Sequence, residues 1–228
     1  MSSDLDLEQQ LLAYYLLLKT PIPEGGAEWN LSPEYHYLFG FAVRDFLCRS
    51  YQLAPDTKVC NIGIGVGDWD DYLGYWVQKW GTLTSVDIDE NLCRLFAYRQ
   101  KREQHSNPST VLAENILQTS LPSASFDLVT IIGSTAHETE QPETAIDVSI
   151  ELTKPGGHIL YMGTTETAPE SWFKDYLKHI TCRVTHQENF TYYSGPQGVP
   201  SHWWKMVAIP DFNYHSEVEG YAYLLEKP

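Results

Sequence analysis

A short apolar segment followed at once by three closely spaced glycines most constrains the fold of this 228-residue chain. The glycines are Gly63, Gly65 and Gly67, and they come directly after a predicted strand, Lys58–Ile62. Glycine has no Cβ atom and tolerates positive φ angles, so the backbone can turn sharply there and a ligand can approach it closely. The pattern predicts a ligand-binding turn between a strand and a helix.

Strands and helices alternate along the chain after this point. The predicted strands are Lys58–Ile62, Leu83–Val86, Thr110–Ala113, Phe126–Ile132, His158–Met162, Cys182–Tyr193 and Gly220–Glu226. The predicted helices between them are Asp68–Trp80, Glu90–Glu103, Pro142–Thr153 and Pro169–Ile180. This alternation predicts an α/β fold with a doubly wound, mostly parallel seven-stranded sheet. We expect the last two strands to form an antiparallel pair.

The first 55 residues differ in pattern and predict an N-terminal helical cap. One helix is expected over Leu5–Lys19. A second is expected from Pro33 to about Tyr51, because Ser32 can cap it and proline suits the first helical position. The sequence therefore predicts a cap over residues 1–55 and a second domain over residues 56–228.

Charge restricts the partners that the chain can bind. The sequence has 15 Lys and Arg residues against 30 Asp and Glu residues, a formal net charge of −15. Such a surface repels nucleic-acid phosphates and anionic lipids, so we expect a small-molecule substrate, no nucleic acid and no membrane. The longest apolar run, Leu11–Leu18, is shorter than the roughly 18–20 residues of a membrane span. The acidic N-terminus is unlike a signal peptide, which favours a cytoplasmic location; the choice between monomer and homodimer stays open.

Metal-binding patterns are missing from the sequence. The four cysteines form no C-x-x-C pair, and the eight histidines form no H-x-x-x-H pair. We therefore expect no metal site.

The spacing of the glycines indicates which kind of nucleotide ligand the loop can bind. A dinucleotide-binding loop has the pattern G-x-G-x-x-G and faces a pyrophosphate, whereas this loop is G-x-G-x-G followed by Asp68. Asp68 would repel a pyrophosphate but could bind the cationic amino group of an amino acid. Asp87, twenty residues after Gly67 at the end of the next strand, can accept hydrogen bonds from both ribose hydroxyls.

Four segments, in order and correctly spaced over Lys58–Gly163, carry a family resemblance. They are KVCNIGIGVGDWDDYL, LTSVDIDENLC, LAENILQTSLPSASFDLVTIIGSTAHE and ELTKPGGHILYMG. Together they resemble the Rossmann-like (class I) S-adenosylmethionine (SAM)-dependent methyltransferases. The resemblance implies a Rossmann-like SAM-binding catalytic domain over residues 56–228.

The resemblance also implies roles for single residues. The three glycines would lie beneath the methionine part of SAM, Asp87 would bind the ribose, and Ile88 would pack on the adenine. The Asn115 side chain would bind the adenine amino group, and the Ile116 N–H would bind a ring nitrogen. The cofactor and the substrate would meet at Gly133, Ser134 and Thr135.

Two asparagines depart from the family pattern. Asn61 and Asn115 stand where the family often has an acid. Asparagine keeps an acceptor oxygen but loses the charge, which weakens the attraction to the sulfonium of SAM. We include Asn61 and Asp68 among the expected cofactor-binding residues.

Acid–base candidates follow the fourth strand in the segment GSTAHE. His137 titrates near neutral pH and could deprotonate a hydroxyl or an amine, and Glu138 could do the same. His137 packing in a loop and Glu138 stabilising a helix N-terminus are the structural alternatives.

Aromatic residues concentrate in two regions that could cover a substrate. The candidates for substrate binding are Tyr35, Tyr37, Trp203 and Trp204, the last two within a predicted aromatic lid around residues 190–212. Such rings could bind a planar molecule or a cation. Packing in the hydrophobic core is the alternative.

Three functions are compatible with these features. The first is methyl transfer from SAM to an oxygen or nitrogen of a small molecule, for example one of secondary metabolism. The second is transfer or cyclisation of the aminocarboxypropyl group of SAM, which would release methylthioadenosine. The third is a non-catalytic binding subunit with the same fold.

Overall fold

The computed structural model describes residues 4–19, 38–192 and 218–228 of the chain, and these residues contain a seven-stranded sheet. The strands are β1 Thr57–Ile62, β2 Gly81–Asp87, β3 Thr110–Ala113, β4 Phe126–Ile132, β5 Thr153–Thr164, β6 Arg183–Tyr192 and β7 Val218–Glu226. Their order is β3-β2-β1-β4-β5-β7-β6, and β7 is antiparallel to both of its neighbours. The predicted fold class is confirmed, including the antiparallel pair at the C-terminal end.

Helices flank the sheet in the described part of the chain. They are α1 Asp4–Lys19, α2 Val43–Ser50, α3 Asp68–Val77, α4 Glu90–Arg102, α5 Thr135–Glu138, α6 Pro142–Leu152 and α7 Glu170–Leu177. The π-helical turn Leu38–Ala42 precedes α2, and the 3₁₀ turn Ile116–Gln118 follows β3. None of the described helices is long and apolar enough to cross a membrane.

Strand β5 begins earlier than the sequence predicts. The prediction places a break at Pro155-Gly156-Gly157 and starts the strand at His158, but β5 starts at Thr153. A bulge opposite β4 accommodates the extra residues, because Thr153 pairs with Phe126 and His158 pairs with Leu128. Gly156 adopts a φ of 74° there and its N–H donates to the Lys227 carbonyl at 2.8 Å.

Strand β1 is covered by packed side chains on both faces. Val59 belongs to one apolar cluster with Phe46 of α2, and Cys60 belongs to another with Ile146 of α6. A parallel sheet covered on both faces produces continuous apolar strands, which explains why β1 shows no alternation of polar and apolar residues.

The strand order fixes where a ligand can bind. β1 lies between β2 and β4, so the connections that leave β1 and β4 run to helices on opposite faces of the sheet. This divergence opens a crevice at the carboxyl ends of the strands, which is where α/β sheets bind ligands. The glycine loop lies at this crevice.

Candidate functional site

The three loop glycines all adopt positive φ angles, but they do so for different reasons. The φ angles of Gly63, Gly65 and Gly67 are 85°, 53° and 82°. A Cβ atom on Gly63 would lie 2.3 Å from Thr135 Oγ1, and one on Gly67 would lie 2.5 Å from the Phe96 ring. A Cβ atom on Gly65 would meet nothing within 4 Å. Packing within the protein therefore requires two of the glycines, whereas Gly65 faces open space.

That open space is a cavity of about 760 Å³ at the carboxyl ends of β1, β2, β3 and β4. Its lining residues come from the glycine loop and from the segments that follow β2, β3 and β4. They are Ile62, Gly63, Ile64, Gly65, Val66, Trp69, Val86, Asp87, Ile88, Asp89, Leu92, Glu114, Asn115, Ile116, Leu117, Ile132, Gly133, Ser134, Thr135, Glu138, Thr139 and Glu140.

Asp87 is held in place at the wall of this cavity by two backbone hydrogen bonds. The N–H of Ile64 donates to Asp87 Oδ2 at 2.8 Å, and the N–H of Asp89 donates to Asp87 Oδ1 at 3.0 Å. Each carboxylate oxygen can accept more than one hydrogen bond, so Asp87 can still accept from a ligand diol. The carboxylate is thus oriented before any ligand binds.

The adenine side of the site combines exposed apolar surface with a capped turn. Ile88 lines the cavity although 71 % of it is exposed to solvent. Asn115 caps the 3₁₀ turn, because its Oδ1 accepts from the Leu117 N–H at 3.0 Å. The neighbouring Glu114 has a lowered pKa: burial opposes the shift, but hydrogen bonds from Thr119 and Ser120 outweigh it.

Asn61 lies behind the glycine loop rather than at the cavity. Its amide nitrogen donates to both carboxylate oxygens of Asp70 at 3.0 Å and to the Gly63 carbonyl at 2.9 Å, while its oxygen accepts from Thr130 at 2.7 Å. Asp70 is fully buried, and burial raises its pKa to about 7. Sequence reasoning places Asn61 on the ligand; the structure places it in a buried network that supports the loop.

Asp68 also does not line the cavity. It is the first residue of α3, and its carbonyl accepts from Arg44 at 3.2 Å. The expected contact between Asp68 and a ligand amino group stays a prediction.

The segment after β4 forms the opposite wall. Ser134 and Glu138 both line the cavity, and the Ser134 hydroxyl donates to the Glu138 carboxylate. The Thr135 hydroxyl donates a hydrogen bond to the Ile132 carbonyl at 3.1 Å, and the Thr135 side chain packs against Gly63. Glu140 lines the mouth with a φ of 60°. Of the two acid–base candidates, Glu138 is the one that reaches the cavity.

His137 is not among the residues that line the cavity, and its role as a base stays a prediction. Its ring packs edge-on against Trp172, 4.6 Å between ring centroids, and its Nε2 lies 3.4 Å from the buried Tyr161 hydroxyl. Burial lowers its pKa. The contacts with Trp172 and Tyr161 hold the imidazole on the side of α5 that packs against the domain core.

The predicted substrate residues Tyr35, Tyr37, Trp203 and Trp204 lie outside the described residues, as does most of the predicted lid at 190–212. Sequence reasoning missed other residues of the cavity wall: Trp69, Asp89, Glu114 and Glu140. Glu114 could have been found, because it precedes Asn115 at the carboxyl end of a predicted strand. No group of three or more metal-ligating side chains occurs within the described part of the chain.

The site fits an adenosyl amino acid. Gly65 leaves room for the ligand, Asp87 presents an oriented carboxylate, and the exposed Ile88 offers apolar cover for a flat base. The cavity wall carries no Lys, Arg or His within the described residues, so it offers no cationic side chain to a pyrophosphate. This donor set favours a nucleoside that carries positive charge.

Comparison with known proteins agrees with this geometry. Residues 60–161 match the family model of a methyltransferase domain. No curated protein sequence matches the chain significantly.

Several solved structures share the fold. A SAM-dependent methyltransferase from Aquifex aeolicus is 16 % identical, with a TM-score of 0.61 over 85 % of this chain and 94 % of that one. The geranyl diphosphate C-methyltransferase from Streptomyces coelicolor A3(2), in complex with Mg²⁺, geranyl diphosphate and S-adenosyl-L-homocysteine, is 12 % identical, with a TM-score of 0.63 over 93 % and 88 %. The [4+2]-cyclase SpnF is 12 % identical, with a TM-score of 0.60 over 82 % and 80 %.

Proposed function

We propose, from the premise that this chain belongs to the class I SAM-dependent methyltransferases, that it transfers a methyl group to an oxygen or nitrogen of a small molecule. The observation that carries the proposal is the open space at Gly65, which lies between the Asp87 carboxylate and the Glu138 wall. One wall would hold the cofactor and the other would face the substrate.

Residues on the β1–β3 side would hold SAM. Asp87 would accept hydrogen bonds from the ribose hydroxyls, while Ile88, Asn115 and Ile116 would surround the adenine. The glycine loop would lie beneath the methionine portion. When bound, SAM supplies a carbon activated by a sulfonium leaving group.

Residues on the β4 side would orient the acceptor. The chemistry needs no protein nucleophile, so positioning supplies most of the rate enhancement. Glu138 can take a proton from a hydroxyl or an ammonium group, and Ser134 fixes its carboxylate by a hydrogen bond. The aromatic residues Tyr35, Tyr37, Trp203 and Trp204 stay proposed substrate contacts.

A second function has one specific observation in its favour. SpnF shares this fold and is described as a cyclase, so the scaffold is compatible with chemistry other than methyl transfer. Here that chemistry would be attack on the aminocarboxypropyl carbon of SAM.

Product analysis separates these functions. The chain is incubated with SAM carrying a deuterated methyl group and with mixed small alcohols, phenols and amines, and the products are analysed by mass spectrometry. Methyl transfer predicts S-adenosylhomocysteine together with a product that gains three deuterium atoms. Methylthioadenosine would support the second function, and binding of SAM without turnover would support the non-catalytic subunit.

A further inference from the structure

Every charged side chain on the described cavity wall is acidic. The five carboxylates are Asp87, Asp89, Glu114, Glu138 and Glu140, and the described wall contains no Lys, Arg or His. A carboxylate that faces a partly enclosed cavity interacts more strongly with a bound charge than one in bulk water. The negative charge of this wall therefore favours the binding of cationic ligands over anionic ones.

The five carboxylates divide into two groups with different surroundings. Asp87 ends β2, while Asp89 and Glu114 follow β2 and β3. Each accepts backbone N–H groups: Asp87 from the glycine loop and from its own segment, Asp89 and Glu114 from their own segments. Glu138 and Glu140 follow β4 and are exposed. The first group shapes the cofactor side, and the second group lies where the acceptor would bind.

The segments outside the described residues do not reverse this charge. Residues 20–37 contain three glutamates and no lysine or arginine. Residues 193–217 contain one lysine against one aspartate and one glutamate. By their Lys, Arg, Asp and Glu content, these two segments therefore carry net negative charge.

We propose that the acceptor is the nitrogen of a small cationic amine, bound as an ammonium group by Glu138 and Glu140. This inference rests on the proposed methyl transfer and narrows it from oxygen or nitrogen to nitrogen. An ammonium group gains hydrogen bonds and charge attraction from two carboxylates. A carboxylate or phosphate substrate would lose its hydration next to like charges, which gives selectivity by repulsion.

The charge balance of the reaction is consistent with this substrate. The ammonium group first gives one proton to the Glu138 carboxylate, which passes it to water. The freed electron pair on nitrogen forms the N–C bond, while the C–S bond breaks and its electron pair stays on sulfur. Positive charge thus moves from sulfur to nitrogen, where Glu138 and Glu140 stabilise it.

Three probes of matched size test the inference: 2-phenylethylamine, 2-phenylethanol and phenylacetate. Each is titrated by calorimetry into the full chain saturated with S-adenosylhomocysteine. We expect the amine to bind about fivefold more tightly than the alcohol, and phenylacetate to bind most weakly, because two charge pairs each contribute modestly.

Two variants show where the preference arises. The double substitution Glu138→Gln and Glu140→Gln should reduce the preference for the amine to about twofold or less. Glu151→Gln, at an exposed position on the far end of α6, should leave it unchanged. Equal binding of the three probes, no binding of any of them, or preferential binding of phenylacetate would overturn the inference. Failure of S-adenosylhomocysteine to bind would instead contradict the proposed function.

Discussion

The two walls of the cavity are built in different ways. On the β1–β2 side, Gly63 packs against Thr135 and Gly67 packs against Phe96, and the buried pair Asn61–Asp70 supports the loop from behind. On the β4 side, the charged groups are exposed, and the Ser134–Glu138 hydrogen bond is local. The first wall is fixed by the core of the domain, whereas the second depends on a surface connection.

This difference indicates how the fold could keep one ligand and change another. A wall held by buried contacts tolerates few substitutions, because each change disturbs packing. A surface connection can change side chains at little cost in stability. We therefore expect substitutions in the first wall to alter stability and SAM affinity, and substitutions in the second to alter the choice of acceptor.

The largest effect is expected for Asp87→Ala on the first wall. Loss of two charge-assisted hydrogen bonds to the ribose should weaken SAM binding by about 100-fold, or roughly 2.7 kcal/mol. Calorimetry measures the dissociation constant. Asp175→Ala, at an exposed position on α7, is the matched control and should leave it unchanged. An Asp87→Ala protein that binds SAM normally would remove Asp87 from the site.

Substitutions at two glycines of the loop should have different effects, one mainly on stability and the other mainly on SAM binding. Gly63→Ala places a Cβ atom against Thr135 at a positive φ and should lower the free energy of unfolding by about 2–3 kcal/mol. Gly65→Ala should lower it by only about 1 kcal/mol, but should weaken SAM binding because its Cβ atom enters the cavity. Urea unfolding and calorimetry measure the two effects.

Thr135→Ala is the control for the proposed steric clash between Thr135 and a Cβ atom at position 63. Combined with Gly63→Ala, it should restore part of the lost stability, because it removes the atoms nearest to the new Cβ. Equal stability losses for Gly63→Ala and Gly65→Ala would show that the glycines do not differ in the way the structure indicates.

Asp70 should make stability depend on pH. Burial raises its pKa to about 7 from an ordinary value of 3.8. Between these values the unfolded chain has lost the Asp70 proton while the folded chain retains it, so this residue's contribution to stability falls as pH rises and levels off above about 7. Asp70→Asn should remove that fall.

Urea unfolding of both proteins between pH 4.5 and 8 (roughly the window set by the two pKa values) measures the difference. We expect the wild-type protein to lose stability relative to Asp70→Asn as pH rises through this range. Parallel stability curves would mean that Asp70 is ionised throughout.

The smallest effect is expected on the second wall, at Glu140. Its φ of 60° is strained for a residue with a side chain, so Glu140→Gly should stabilise the fold by about 0.5 kcal/mol. Ala124, with a φ of 52°, lies before β4 and away from the cavity, so Ala124→Gly should give a similar gain. Only Glu140→Gly should also weaken 2-phenylethylamine binding. Identical binding by both variants would place Glu140 outside the acceptor site.

Particular residues show how far the sequence could predict this structure. The bounds of β3 and β4 are those expected, because apolar runs of this length between turn residues fix buried strands. Gly65, Asp87 and Ser134 line the cavity as expected, because residues after parallel strands converge at one edge. Their proposed ligand contacts stay predictions.

The structure differs from the sequence-based expectations in side-chain direction and in long-range partners. Asn61 was expected at the ligand, but its partner Asp70 comes from the next helix, and no local pattern indicates that pairing. His137 and Glu138 are adjacent in sequence, yet only Glu138 faces the cavity, because Trp172 of α7 provides a packing partner for the histidine. Such choices depend on tertiary packing, which a single sequence does not reveal.

Binding of an adenosyl amino acid in the cavity between Gly65, Asp87 and Glu138 underlies both proposals. Calorimetric titration of the full chain with S-adenosylhomocysteine is its direct test. We expect saturable binding of one molecule per chain, with a rise in melting temperature that grows with ligand concentration. No heat of binding and no thermal protection at millimolar ligand would contradict it.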